Sequence, residues 1–164
     1  MTRFAIIALI SLGTTVYAQI GETKAELARR YGQPQPWGKM LTSHYDGLVD
    51  DTAKFEQNGL MILVCFKSNK AVLFMYQRLD KSPMSKAEVF TVLRQAIKKA
   101  DWVLISGDSP NPRWHSEDSS VFAYYYPEPD FDGAPARFVR VQTAQLDVIY
   151  SKLRGEKPYE PPKA

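Results

Sequence analysis

The most apolar part of the chain, residues 60–79, reads LMILVCFKSNKAVLFMYQRL and contains two apolar runs separated by a short polar break. Both runs are rich in β-branched and aromatic side chains, which favour strands. Asn69 lies in the polar break and tolerates the left-handed backbone conformation that a tight turn requires. The pattern therefore predicts a β-hairpin with strands at 60–67 and 70–79.

A membrane span is the alternative interpretation of this apolar stretch, since its length matches the thickness of a bilayer. Three charged side chains interrupt the stretch, namely Lys67, Lys70 and Arg78. A turn at Asn69 would also break a spanning helix. The hairpin is therefore favoured, and we expect no integral membrane span in the mature chain.

A further strand is predicted before the hairpin. Residues 52–57 alternate apolar and polar side chains, which is the period of a half-buried strand. Asn58-Gly59 follows as a strong two-residue hairpin turn, so the three strands form a meander. Because the middle strand is apolar on both sides, we expect both of its faces to be covered.

Helical periodicity and capping signals recur three times along the chain. Thr23 with Glu26 and Ser85 with Glu88 have the spacing of a capping box, and Thr143 is a candidate N-cap. The two near-identical boxes indicate either a tandem repeat of a helix followed by strands or the chance recurrence of a common motif. The predicted helices span 23–31, 85–99 and 144–154.

The second half of the chain adds strands to the sheet. Residues 121–126 and 137–142 are strand-like, and the proline-rich segment between them is a surface loop by composition. Residues 113–115 are a candidate short strand. We therefore predict an α+β fold, in which helices pack on an antiparallel sheet of about five or six strands.

The N-terminus has the layout of a signal peptide, predicted as residues 1–18. Arg3 precedes an apolar run, and small residues before Ala18 suit cleavage after that residue. Retention of the segment as a membrane anchor is the alternative. Residues 19–155 are then one domain, and residues 156–164 are a disordered or extended Pro-rich tail. The expected location is outside the cytoplasm, either periplasmic or secreted.

Charge and cysteine content narrow the possible roles. The chain has 21 Lys and Arg residues and 18 Asp and Glu residues, and cleavage of the predicted signal peptide removes one of the basic residues. The remaining basic and acidic residues are interspersed along the sequence. A nucleic-acid partner is therefore not expected, because such proteins cluster their basic residues. The single cysteine, Cys65, lies in a predicted strand and cannot form an intramolecular disulfide, so we expect it to act as a buried apolar residue.

The start of the predicted domain resembles a known family. The motifs are Ile20-Gly21-Glu22-Thr23, Glu26-Leu27 and Tyr31-Gly32-Gln33-Pro34. They resemble the opening of small exported bacterial proteins of the BamE (SmpA/OmlA) type, whose relatives with a β-lactamase-inhibitor-like fold place helices against an antiparallel sheet. The chain looks most like members of unassigned function, so the resemblance implies a fold and no chemistry.

One cluster could carry chemistry, the consecutive residues His115, Ser116, Glu117 and Asp118. Consecutive side chains on an extended chain point in alternate directions, whereas a triad or a metal site needs them to converge. A third metal ligand would have to come from elsewhere, such as Asp108 or His44. We assign no catalytic, cofactor-binding or metal-binding residue, and a small hydrolase or metal-dependent enzyme centred on His115 is the alternative function.

Aromatic residues in loops and edge strands are the stronger functional signal, because such residues are favoured at protein interfaces. We therefore expect a non-catalytic exported protein that binds another protein or an envelope component. Alternate aromatic residues in 121–126 could instead belong to the core. The candidate partner-binding residues are Trp37, Tyr45, Trp114, His115 and Tyr125.

Overall fold

The structure is a computed structural model that describes residues 19–35, 37, 47–97, 101–106, 111–129 and 135–160. These residues form three helices and one seven-stranded antiparallel sheet, which confirms the α+β class with a somewhat larger sheet than expected. In chain order the elements are α1 (Lys24–Tyr31), β1 (Asp51–Gln57), β2 (Leu60–Lys67), β3 (Lys70–Arg78), α2 (Lys86–Ala96), β4 (Trp102–Ser106), β5 (Arg113–Ser116), β6 (Val121–Pro129), β7 (Pro135–Thr143) and α3 (Ala144–Leu153).

The sheet consists of two meanders that meet at its middle. Its strand order is β1-β2-β3-β7-β6-β5-β4, so β1 and β4 are the two edges. The meanders join where β3 pairs with β7, with Phe74 opposite Val141. The predicted turns are present, since Asn58, Gly59 and Asn69 all have positive φ angles.

The two faces of the sheet carry separate cores. Helices α1 and α2 cover one face, where Val64 and Phe66 of β2 are fully buried. Helix α3 covers the other face, together with Trp37, and there Leu63 and Cys65 of β2 are buried. The expectation that both faces of the middle strand are covered is therefore confirmed.

The capping boxes of α1 and α2 both form, and Thr143 accepts a hydrogen bond from the backbone N–H of Leu146 as the N-cap of α3. Helix α2 ends at Ala96, earlier than the predicted residue 99, because Ile97 is already extended. The Ala96 carbonyl instead accepts hydrogen bonds from the backbone of residues 19 and 20. Because the donors lie outside α2 and far away in the sequence, the residues around Ala96 do not predict this contact.

The first residues of the tail, predicted to be disordered or extended, contact the domain. Residues 156–160 have no regular secondary structure, but the ring of Tyr159 lies 5.7 Å from the His115 ring and 5.9 Å from the Phe122 ring. The half-buried ring of Tyr159 therefore packs on two aromatic side chains of the sheet. The predictions for residues 1–18 and 161–164 lie outside the described residues.

Across the described ranges, no helix combines the length and the apolar character that crossing a bilayer requires.

Candidate interaction surface

The structure buries Trp114, which was expected to be exposed. Only 5% of its surface is accessible, and its ring contacts Phe90 of α2 edge to face, with the centroids 6.3 Å apart. The alternation of β5 turns this side chain toward the helices. Trp114 is therefore a core residue, and the expectation that it presents an exposed aromatic surface is wrong.

His115 points to the opposite face of the sheet and is also buried. Its Nδ1 lies 2.7 Å from the carbonyl oxygen of Ser116, and its ring packs against Phe122 and Tyr159. Because a carbonyl oxygen only accepts, Nδ1 carries the proton in this contact. His115 is therefore a buried residue, and a role for it in binding a partner stays a prediction.

The remaining candidates do not form one patch. Trp37 is half-buried against the core beneath α3, whereas Tyr125 lies on the other face, where its hydroxyl donates to the Met84 carbonyl at 3.3 Å. Tyr45 lies outside the described residues. Phe122 is buried, as the core interpretation of the alternate aromatics expects. The structure therefore places Trp37 and His115 on one face and Trp114 and Tyr125 on the other.

The polar side chains of the turn after β5 form hydrogen bonds within the turn. One carboxylate oxygen of Asp118 accepts hydrogen bonds from the hydroxyls of Ser116, at 2.6 Å, and Ser120, at 2.8 Å. These bonds lower the pKa of Asp118 below its usual range. The hydroxyl of Ser119 lies 3.3 Å from Nδ1 of His115, the nitrogen that already carries a proton. His115 in this state cannot act through Nδ1 as the base for Ser119.

Among the described residues, no three His, Cys, Asp or Glu side chains lie close enough together to hold a metal ion. His44 and Asp108, the further ligands considered from the sequence, lie outside those residues.

Cys65 is buried beneath α3, as expected. Burial raises the pKa of its thiol to about 12, so the neutral form predominates at physiological pH. A thiol in this state is a poor nucleophile and a poor metal ligand.

We expect Cys65 in the native protein to react with iodoacetamide at least about a hundredfold more slowly than in the denatured protein, because labelling requires opening of the core. Mass spectrometry of samples quenched over time would measure both rates, and a Cys65→Ala variant would show the background. Equal rates in the native and denatured protein would contradict the buried position.

A buried polar cluster lies under α3 and was not anticipated from the sequence. The carboxylate of Asp147 accepts hydrogen bonds from the Tyr124 hydroxyl and, at 2.6 Å, from Nε2 of Gln142. The guanidinium of Arg140 stacks between two rings, 4.8 Å from the centroid of Tyr124 and 4.6 Å from that of Tyr150. Burial and the hydrogen bond to Asp147 both raise the pKa of Tyr124. These contacts join α3 to β6 and β7, which is a structural role.

The edge strand β4 exposes apolar side chains. Val103 is 44% exposed and Leu104 is 49% exposed. No residue of this strand is charged. Exposed, uncharged edge strands are uncommon, because an unpaired edge invites pairing with another chain.

The backbone of β4 can accept a further strand. The Glu117 N–H donates to the Asp101 carbonyl at 3.0 Å, which directs the backbone groups of Asp101 toward β5. Because these directions alternate along an antiparallel strand, the N–H and C=O groups of Trp102 and Leu104 point away from the sheet. Among the described residues, no strand pairs with this side of β4, so the outward groups form a hydrogen-bonding edge.

The opposite edge, β1, is protected. Its residue Lys54 exchanges backbone hydrogen bonds with Gln35, at 2.8 and 3.3 Å. Its charged side chains form ion pairs, including Lys24 with Asp51 and Lys54 with Glu56. Bound backbone and charged side chains are the usual protections of a natural sheet edge. The contrast makes β4 the candidate interaction surface.

Comparisons with known proteins include a distant structural likeness. No family model matches the chain, and no curated protein does. The chain is similar to the crystal structure of a cysteine-rich secretory protein from Staphylococcus aureus subsp. aureus Mu50, at 12% identity and a TM-score of 0.36. The match covers 88% of this chain and 51% of that one, so the chain spans about half of that structure's length. It decides neither family nor role, and the resemblance to the BamE type stays a prediction.

Proposed function

We propose that this chain is an exported, non-catalytic protein that binds a partner protein by adding an extended segment of that partner to the outer edge of β4. The observation that carries the proposal is the outer edge of β4, which pairs with no described strand and has Val103 and Leu104 exposed beside it. Backbone groups at strand spacing match another peptide backbone, which favours a protein partner. Export is supported by the basic start, apolar run and small residues of the N-terminal segment.

The side chains of β4 indicate the chemistry of the segment it takes. Its five residues, Trp102–Ser106, are uncharged, so the partner segment is apolar and uncharged where it lies against them. Exposed carboxylates stand at the N-terminal end of the strand, on Asp101 and Glu117. An antiparallel partner would bring its C-terminal end to this point, where a lysine or arginine would complement the acidic groups.

A second copy of the chain fits this edge less well. An antiparallel pair of β4 strands would place one uncharged strand against another. Neither copy of β4 would then supply a cation to the exposed carboxylates of Asp101 and Glu117. A segment of a different protein is therefore the occupant we propose.

We expect Leu104→Lys to abolish capture of the partner, because the substitution places a charge on the strand edge. Pull-downs from envelope extract would compare the native protein with this variant, and Leu79→Lys is the matched control because Leu79 is similarly exposed, at 48%, at the end of the meander. Proteins retained by the control and lost with Leu104→Lys are the expected partners. Equal capture by both variants would contradict the role of β4.

Hydrogen exchange tests the mode of binding with the captured partner. We expect the amides of Trp102 and Leu104 to exchange quickly in the free protein and to become protected in the complex, since a docked strand would accept their hydrogens. Light scattering of the free protein would test for self-association. Protection that develops with protein concentration alone would show that a second copy occupies the edge, and this result would overturn the proposal.

A further inference from the structure

Gln19, the residue after the predicted cleavage site, is built into the core. Its surface is only 2% exposed. Its side-chain Nε2 donates a hydrogen bond to the Tyr31 hydroxyl, and its Oε1 accepts one from the Tyr76 hydroxyl. Tyr31 belongs to α1 and Tyr76 to β3. A buried amide with both ends bound is a specific structural contact rather than part of a loose terminus.

The backbone of the same segment joins two elements, α2 and β3. The Gln19 nitrogen donates to the Ala96 carbonyl at 3.1 Å, at the end of α2. Two further bonds of 2.8 Å link this segment to Ala71, the second residue of β3: the Gly21 N–H donates to the Ala71 carbonyl, and the Ala71 N–H donates to the Glu22 carbonyl. The last carbonyls of a helix have no hydrogen-bond donor within the helix. The Gln19 nitrogen therefore supplies a donor to the Ala96 carbonyl.

We propose that Gln19 is the N-terminal residue of the processed protein, that its new α-ammonium group binds the Ala96 carbonyl at the end of α2, and that the folded protein protects Gln19 from cyclisation to pyroglutamate. A positive charge is favourable at the C-terminal end of a helix, where the backbone dipoles are negative. The inference rests on the proposed export of the chain and does not depend on partner binding at β4.

Protection here means that the fold slows the cyclisation of Gln19 to pyroglutamate. In a chain that begins with glutamine, the unprotonated α-amino nitrogen attacks the side-chain carbonyl carbon, Cδ. A bond forms between that nitrogen and Cδ, the bond between Cδ and Nε2 breaks, and a proton from the α-amino group leaves with Nε2 as ammonia. In the fold, the nitrogen is held at Ala96, and the side-chain amide is held between Tyr31 and Tyr76. Cyclisation therefore requires the N-terminal segment to open first.

The test uses the full chain, expressed with its leader in a bacterial host that exports it. N-terminal sequencing and intact mass of the exported product are expected to show a start at Gln19 with the amine free. An exported product that starts elsewhere would overturn this inference and leave the proposed function standing. A chain that is not exported and keeps its leader would contradict the export on which both proposals depend.

The purified product is then incubated in native buffer and in denaturant, and the loss of ammonia is followed by mass. We expect cyclisation to be at least about tenfold slower in the native protein, since the segment must open against its hydrogen bonds. Equal rates in the two conditions would overturn the protection. The result is independent of β4, because the pull-down with Leu104→Lys reports on partner binding alone.

A pair of variants separates local protection from general stability. Tyr76→Phe removes the hydroxyl that binds Gln19, whereas Tyr124→Phe removes a hydroxyl that binds Asp147 on the other face of the sheet. Each variant is incubated at a temperature that lies equally far below its own unfolding midpoint. Under these conditions we expect faster cyclisation with Tyr76→Phe only. Equal acceleration in both variants would show that general stability, and not the contact at Gln19, sets the rate, and this would overturn the specific role.

Discussion

Replacing Asp147 with alanine is expected to lower the free energy of unfolding by about 3 kcal/mol, since a buried hydrogen bond to a charged group contributes roughly 1.5 to 3 kcal/mol. Asp147 is buried and accepts hydrogen bonds from Tyr124 and Gln142. Its removal leaves the buried amide of Gln142 and the half-buried hydroxyl of Tyr124 without this acceptor, near the guanidinium of Arg140, which is buried between two tyrosine rings. Urea denaturation followed by tryptophan fluorescence measures the loss.

A matched control for this variant is Asp80→Ala, since Asp80 is an exposed residue whose bonds are to Arg78 and Ser82 on the surface. We expect a smaller shift of the unfolding midpoint for this control, because solvent replaces the lost bonds. Asp147→Asn keeps the size of the side chain and one acceptor oxygen, and should fall between the two. A loss below about 1 kcal/mol for Asp147→Ala, the size of an ordinary hydrogen bond, would contradict the role of the buried cluster.

The cluster fixes where α3 lies on the sheet. Apolar contacts alone are non-directional, so Leu146 and Tyr150 could pack in more than one position along the strands. The hydrogen bonds of Asp147 specify one position, because Tyr124 is on β6 and Gln142 is on β7. This position determines the cover over Leu63 and Cys65, and therefore the completeness of the second core.

The parts of the fold that depend on neighbouring residues were predictable from the sequence. The hairpin turns follow from Asn58-Gly59 and Asn69, which adopt positive φ angles as such residues readily do. The starts of the helices follow from capping residues that bond three positions along the chain, and the three starts are confirmed. Local chemistry decides both features, so no knowledge of the tertiary structure was needed.

The parts that depend on distant contacts were not predictable. The end of α2 depends on Gln19, which lies far away in the sequence and binds the Ala96 carbonyl. Strand β4 is a run of four apolar residues and a serine after a helix, and periodicity does not distinguish such a short run from buried helix. Both features required the neighbouring elements to be in place.

Side-chain exposure was the least predictable property of the candidate surface. The alternation of β5 indicates that Trp114 and His115 lie on opposite faces, but it does not reveal that both faces are covered at that position. Helix α2 covers the first and Tyr159 covers the second. The exposed apolar side chains are instead Val103 and Leu104. They become candidates for binding a partner only because β4 lies at the edge of the sheet.

Shortening a side chain on either face of β2 is expected to destabilise the protein strongly, because each face lies in a core of its own. We expect Phe66→Ala, on the side of α1 and α2, to cost about 3 to 5 kcal/mol, and Leu63→Ala, on the side of α3, about 2 to 5 kcal/mol. Each loss combines the transfer of the removed atoms with the cavity left behind. Denaturant unfolding of both variants measures these values.

Met61→Ala is the matched control for these variants, since Met61 lies on the same strand and on the α3 side but is only half-buried. Its partial exposure should make its loss smaller than that of Leu63→Ala, because the surrounding side chains and water can fill the space. Equal, small losses for Met61→Ala and Leu63→Ala would mean that the α3 side of β2 is not a core. That result would also contradict the proposed role of the Asp147 contacts, which hold α3 over this face. The variants of β2 and the variants of Asp147 therefore test the same packing of α3 on the sheet.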